Sequence, residues 1–315
     1  MDIFKVITPG PYLTVQDQGR FGYQKMGIPI SGALDSYAFH LANALVGNPP
    51  DSAALEITIL GPRLEILSET DIALTGAEME MTLNGNPAKC WESMRVRPGD
   101  ILDIGQAKSG CRGYLAVGGG IDVPEIMGSR STYAGGKLGG FQGRPLKKGD
   151  VIQNGRKNLL TRPRRLAYSD IPKYLTEVHI RAIPGPQDDF FDTGIRILFH
   201  SSFLVTAKAD RMGYRLQGPP VSLKEGMPKS IISEPAVPGG IQIPADLQPI
   251  ILLLEQTVGG YAKIATVISS DLSKIAQATP GDAIRFEPVS LEAAHMLHRE
   301  EFHRLQTIIS LLSSR

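Results

Sequence analysis

The sequence predicts a mainly β protein, and three observations carry that reading. Its 34 glycines and 23 prolines are dispersed and cut the chain into short segments, the punctuation of many strands joined by tight turns. Short runs alternate apolar and polar residues with the two-residue period of a half-buried strand. One turn also recurs: "RPGDILDI" (Arg97–Ile104), "KKGDVIQN" (Lys147–Asn154) and "TPGDAIRF" (Thr279–Phe286) each set Gly-Asp ahead of an alternating run. Glycine supplies positive φ without steric cost, and aspartate caps the turn. A weaker echo joins "PGPYLTVQD" (Pro9–Asp17) to "PGPQDDFF" (Pro184–Phe191), so residues after about 175 reuse the architecture of the first half.

In chain order, the first element to stand out is a helix in "LDSYAFHLANALVGNPP". Ala38, Leu41, Ala42, Leu45 and Val46 share one face, Asp35 is the N-cap, and Gly47 with Pro49 ends it. Strands follow at Ile72–Leu74, Met79–Leu83 and Tyr114–Val117. "RKNLLTRPRRLAYSDIPKYL" (Arg156–Leu175) is basic and broken by proline, which reads as a solvated linker between domains 1–175 and 176–315. Strands resume at Val178–Ile183 and Ile197–Val205, and the wholly apolar Ile250–Leu254 suits a buried strand. A C-terminal helix starts at the cap Ser290, with Glu292 in its first turn and a stripe of Ala294, Leu297, Phe302, Leu305, Ile309 and Leu312.

Length and composition bound the function. At 315 residues the chain suits two domains with sizeable cores. Lys+Arg 33 against Asp+Glu 32 leaves no positive excess to attract nucleic acid or anionic lipid. Cys90 and Cys111 form neither a disulfide framework nor a metal spacing. The first residues lack a basic stretch followed by an apolar one, and the run "PIILLL" (Pro249–Leu254) is only strand-length, so the expected location is the cytoplasm, away from membranes.

Several catalytic motifs fail. "GGKLGG" (Gly135–Gly140) has Leu138 where a P-loop needs Ser or Thr, and Ser131 where it needs glycine. No Rossmann fingerprint, GxSxG elbow or HExxH is present, and His295, His298 and His303 read as surface residues of the last helix, so no metal site is expected. Four polar clusters in glycine-rich loops remain. They are Val15–Asp35 (Gln16, Asp17, Arg20, Ser31, Asp35), Gly128–Leu146 (Arg130, Ser131, Tyr133, Lys137, Arg144), Ala209–Gly218 (Asp210, Arg211, Tyr214, Arg215), and Ser233–Asp246 leading into "EQTVGGYAKIATVI" (Glu255–Ile268). Each suits either Asp–Arg pairs pinning loops or guanidinium forks and free amides receiving a carboxylate or phosphate.

These clusters, in this order, resemble the family called allophanate hydrolase subunit 2, KipA or the C subunit of 5-oxoprolinase. The matching segments are "TVQDQGRFGYQKMGIPISGALD", "ALEITILGPRLEI", "YLAVGGGIDVP", "GSRSTY", "RMGYRLQG", "SEPAVPGGIQIP" and "QTVGGYAKIATVISSDL", with Ala42–Asn48 between the first two. The resemblance implies two related cyclophilin-like β-barrel lobes. It implies one of three functions: a component that opens 5-oxoproline with ATP, a carboxyltransferase of a biotin-dependent urea/allophanate-type system, or a regulator that binds a KipI-like kinase inhibitor. The first is favoured, with ATP and Mg, and with a KipI-like protein and a LamB/YcsF-like protein as the other two components of the enzyme. A homo-oligomer of heterodimers is a further expectation. Covalent biotin is not expected here, since Lys25-Met26 lacks the preceding methionine of a biotinylation site.

Opening a lactam with ATP requires cations on the transferring phosphoryl group and donors at the developing oxyanion. On this resemblance the cations are Lys263 and Arg211, and the donors are Gln256 with the Gly259 and Gly260 amides. Tyr261 orients the substrate, and Glu234 or Asp246 acts as base or holds a metal. Arg20 with Asp35 clamps the substrate, with Ser31, Tyr133 and Arg144 as further contacts. Many family members read closer to Asp-Arg-Gln-Thr-Thr-Gly-Gly-Tyr-Pro-Lys-Ile in the last cluster. Here Leu254 and Glu255 replace the charged pair, Val258 the second threonine and Ala262 the proline.

Overall fold

A computed structural model describes residues 1–155 and 159–314. The chain divides into two compact units. One comprises Met1–Arg20, Ser31–Lys173 and the residues from Leu305 onward; the other comprises Phe21–Ile30 and Tyr174–Arg304. An even division at 175 therefore misses two exchanges, the excursion Phe21–Ile30 and the end of the last helix.

The first unit is a ten-stranded sheet. Its strands are β1 (Asp2–Thr8), β2 (Leu13–Gln16), β3 (Ala54–Thr58), β4 (Arg63–Ile66), β5 (Thr70–Leu83), β6 (Asn86–Ala88), β7 (Ser93–Val96), β8 (Ile101–Val117), β9 (Ile121–Asp122) and β10 (Val151–Asn154). The expected strands at Ile72–Leu74 and Met79–Leu83 are one strand, β5, which pairs with β8 through register shifts between Gly76 and Met81. Gly76 permits the first shift: its φ is 86°, and a Cβ there would lie 2.2 Å from the Arg112 carbonyl. Ile3, Phe4, Val15, Leu55, Leu74 and Leu115 are fully buried in the main core. A second core packs α1 (Ser36–Leu45) through Phe39, Leu41 and Leu45 against Tyr114 and Ala116 of β8, with Ile308 and Leu312 of the C-terminal helix.

The second unit holds β11 (Glu177–Pro184), α2 (Thr193–His200), β12 (Ser202–Ala209), β13 (Gly213–Gln217), β14 (Glu234–Pro235), β15 (Gly240–Ile243), β16 (Ile250–Leu252), β17 (Val258–Gly259), β18 (Ala262–Val267), α3 (Leu272–Gln277) and β19 (Ala283–Pro288). Seven strands close into a barrel in the order β11-β18-β15-β16-β13-β12-β19, while β14 and β17 form a separate two-stranded ladder. Closure runs through a parallel β11–β19 pair, and burial in the barrel accounts for the apolar run at Ile250–Leu254.

The recurring turn is one structure used three times. Gly99, Gly149 and Gly281 have φ of 90°, 90° and 98°. In each case the following aspartate accepts the N–H three residues before it: Asp100 from Arg97, Asp150 from Lys147 and Asp282 from Thr279, all at 2.7 Å.

Three expectations are corrected. Ile197–His200 belongs to α2, where Gly194 and Leu198 are buried four residues apart, a helical spacing hidden by the apolar run. Residues 156–158 of the expected linker lie outside the described residues; 159–173 belong to the first unit and are mostly exposed, but Leu166 is buried there and Arg164 donates to the Ala44 carbonyl at 2.7 Å. In α4 (Leu291–Ser313), Phe302 is exposed, because the covered positions run through Ala294, Leu305, Ile308 and Leu312 and leave 302 turned outward. Among the described residues, no helix is long and apolar enough to cross a membrane.

Candidate active site

Polar groups of the second unit gather where the Gly259-Gly260 segment enters β18. Lys263 is only 7% exposed, and its Nζ donates to Glu234 Oε2. Glu234 keeps 42% of its side chain exposed, so the pair is buried on the cationic side and open on the acidic side. Gln187 fixes the lysine backbone from both directions: its Oε1 accepts the Lys263 N–H at 3.0 Å, and its own N–H donates to the Lys263 carbonyl at 3.3 Å. Gln242 of β15 is the ladder partner of Lys263, which places the two side chains as neighbours on one face, and it is buried.

The glycine pair serves this packing. Neither Gly259 nor Gly260 has a positive φ, so no left-handed turn requires them. Gly259 pairs with Glu234 in the β14–β17 ladder, and a Cβ on it would stand 2.2 Å from Gln242 Nε2. Gly260 accepts the Ile231 N–H through its carbonyl at 2.8 Å. Gln24 ties the ladder together from the Phe21–Ile30 excursion, donating from Nε2 to the carbonyls of Ala236 (2.6 Å) and Thr257 (2.9 Å). A Gly259→Ala variant is expected to displace Gln242 and lose about 1–3 kcal/mol of stability, read as a lower urea midpoint with unchanged m.

Other predicted residues of this unit have different roles. Arg211 is no free cation: it is buried with Glu255, Nε to Oε1 at 2.6 Å, and its carbonyl accepts the Glu255 N–H at 3.1 Å. The unusual glutamate at 255 is thus the counter-ion of a buried guanidinium. Gln256 turns Nε2 onto the Val258 carbonyl of its own loop, which occupies it locally. Asp246 caps the Gln248 N–H at an exposed turn, 3.6 Å from Arg215, and shares no bond with Lys263 or Glu234. Tyr261 is 38% exposed and offers its carbonyl to Gln242 Nε2 at the long distance of 3.5 Å.

In the first unit, Arg20 and Asp35 form no joint clamp. Arg20 is fully buried, with Nε on the Ile126 carbonyl (2.9 Å) and Nη2 on the Ser131 carbonyl (3.0 Å), while Nη1 has no partner. Asp35 caps α1 by accepting the Ala38 N–H at 3.0 Å, and its own N–H donates to Tyr114 Oη. Tyr114 in turn donates to buried Glu56 at 2.8 Å; burial, then the nearby Glu56 and Asp35, push its phenol well above the usual range. Ser31 holds a left-handed φ of 54°, and its buried hydroxyl has no partner. The ring of Tyr133 lies against Gly136, where a Cβ would be 2.6 Å from Cε1. Arg144 forms a bidentate pair with Asp150 (2.7 and 2.9 Å), and these hydrogen bonds hold that carboxyl below its ordinary value.

The barrel, the Lys263–Glu234 pair and the ladder lie in a stretch of the chain that matches a known family. Residues 26–288 match the carboxyltransferase domain, subdomains A and B, and the chain belongs to that family. It is 40% identical over 296 residues to the C subunit of 5-oxoprolinase from Escherichia coli, covering 93% of both chains, and 37% identical to the protein of that name in Haemophilus influenzae, covering 91% of both. It is also similar to the crystal structure of Kluyveromyces lactis urea carboxylase, with a TM-score of 0.92 and 36% identity over 97% of this chain, but over only 29% of that longer polypeptide.

Of the residues expected from the sequence, Lys263, Glu234 and Gly259 lie together, Tyr261 is tied to them through its backbone carbonyl on Gln242, and Gln187, Gln242 and Gln24 join the cluster. The echo "PGPQDDFF" already contained Gln187, and its offset from "PGPYLTVQD" was the available signal.

Proposed function

We propose that the chain is the C subunit of an ATP-dependent 5-oxoprolinase, opening 5-oxoproline to glutamate together with a KipI-like protein and a LamB/YcsF-like protein. The observation that carries this reading is the match covering 93% of both chains with the Escherichia coli protein of that name. ATP enters as a co-substrate. Transfer of its γ-phosphoryl group to the lactam oxygen releases ADP; water then adds to the ring carbon, the C–N bond opens with the nitrogen taking up a proton to leave an acyl phosphate, and a second water releases phosphate and the free side-chain carboxylate. Lys263 supplies a fixed ammonium for the phosphoryl oxygens, and Gln242 is positioned by Gly259 as an amide donor beside it. Glu234, half in solvent, is the carboxylate that takes a proton from water. Magnesium accompanies the phosphates and needs few protein ligands.

A second reading, a carboxyltransferase of a biotin-dependent urea/allophanate-type system, is supported by the likeness to urea carboxylase. Native co-purification with mass spectrometry separates the two. KipI-like and LamB/YcsF-like chains, with ATP cleaved only in the presence of 5-oxoproline, are the expected result. A biotinylated carrier would establish the second reading, and a KipI-like chain alone without turnover would make the protein a regulator.

A further inference from the structure

The glycine run that fails as a P-loop builds a cradle of a different kind. In the first unit, the loop through Gly135–Gly140 borders a cleft of about 450 Å³. Its lining includes the apolar residues Pro124, Ile126, Phe141 and Val151, together with Lys137 and the glycine-rich segment Gly139–Gly143. Lys137, Gly139, Gly140, Gln142 and Gly143 all have left-handed φ, between 52° and 66°. Such reversals of hand let backbone N–H groups converge, as in anion-binding nests.

Several amides of this loop are consumed: Leu138 N–H by the Tyr133 carbonyl, Gly140 N–H by Arg130 and Gly143 N–H by Gly139. The N–H groups of Gly139, Phe141 and Gln142 donate to no acceptor among the described residues, and all three residues line the cleft. Gly139 is a buried residue, and an unpaired N–H is uncommon at such positions, while Phe141 is half-buried and Gln142 exposed. Lys137 is exposed and enters no ion pair among the described residues. Behind the wall lies the Arg20 guanidinium, bound to the carbonyl of the cleft residue Ile126; a Cβ on Gly139 would come 2.6 Å from its Nη2. Two acids oppose this field. Asp122 lines the cleft, and Asp17, which interacts with Arg20, is already saturated by the N–H groups of Gly19 and Arg130 and the hydroxyls of Ser129 and Ser131.

We propose that this cleft binds the oxyanion group, phosphate or carboxylate, of a small organic ligand whose apolar body lies along Pro124, Ile126 and Val151. The oxyanion takes the free amides of Gly139, Phe141 and Gln142 and the Lys137 ammonium. This site is independent of the Lys263 chemistry, so the two stand or fall separately.

The test is amide-resolved NMR of the isotopically labelled full chain, titrated with inorganic phosphate and separately with acetate at constant ionic strength. Saturable shifts confined to the Gly139, Phe141 and Gln142 amides are expected. A response to phosphate alone supports a phosphorylated ligand, and a response to both supports a carboxylate as well. Lys137→Asn, which keeps a residue tolerant of left-handed φ, is expected to weaken binding about tenfold, and Asp122→Asn to strengthen it about threefold. Absence of shifts with either anion overturns the proposal, as do shifts that neither substitution alters, which would mark non-specific salt effects.

Discussion

Replacing Lys263 with methionine is expected to lower 5-oxoproline-dependent ATP hydrolysis of the assembled enzyme by about 10²–10³-fold, the usual cost of removing one fixed donor from a developing charge. The geometry makes this a clean experiment. The lysine stem is buried and methionine fills most of its volume. Glu234, left without its partner, is already half in solvent and can hydrate, so the fold does not inherit a buried unpaired acid. Gln187 continues to hold the backbone, because its two bonds go to the N–H and carbonyl of residue 263 and not to the side chain. Glu234→Gln should lower the rate by about 10²–10⁴-fold, since the amide still accepts a hydrogen bond from the ammonium but cannot take a proton from water. An unchanged rate in the methionine variant, with the components of the enzyme still co-eluting, would remove Lys263 from the chemistry. Loss of co-elution would instead make it an assembly residue.

How much of this was legible in the sequence depended on the range of the interaction. The Gly-Asp turns were readable because their caps close within three residues, as at Asp100 and Arg97. Asp35 was readable as a helix cap for the same reason, and its proposed ligand role competed with a bond three residues away. Lys263 and Glu234 were both selected, although nothing local joins positions 29 residues apart. The glutamines were missed because a neutral amide gives no signal until its partners are known; Gln24 reaches the Thr257 carbonyl across 233 residues. Arg20 and Arg211 stay ambiguous in the sequence because a guanidinium in a glycine-rich loop suits a ligand and a structural carbonyl or carboxylate equally well. Only the fold supplies Ile126, Ser131 and Glu255 as their partners.

Asp271→Asn is expected to cost the protein about 3–5 kcal/mol, the scale for breaking a buried, multiply bonded charge pair. The carboxylate is fully buried at the turn that leads into α3. It accepts from the Arg181 N–H (2.8 Å), Nε (2.9 Å) and Nη2 (2.6 Å), and Lys274 Nζ lies 2.9 Å away, so one residue joins β11 to the helix. Burial alone raises its pKa, but the Arg181 hydrogen bonds and then Lys274 outweigh it and hold the carboxyl below the ordinary value. A depressed folded pKa fixes the sign: the unfolded chain takes up the proton first as pH falls. Asp271 therefore contributes its full stability above the unfolded carboxyl pKa of about 3.9, and that contribution declines as pH drops through the lower folded value. Urea unfolding of the wild type and the asparagine variant between neutral pH and the acid limit should show a constant gap that narrows below about pH 4. A gap that persists undiminished into acid would assign the loss to packing at the β11–α3 junction and remove the charge from the account.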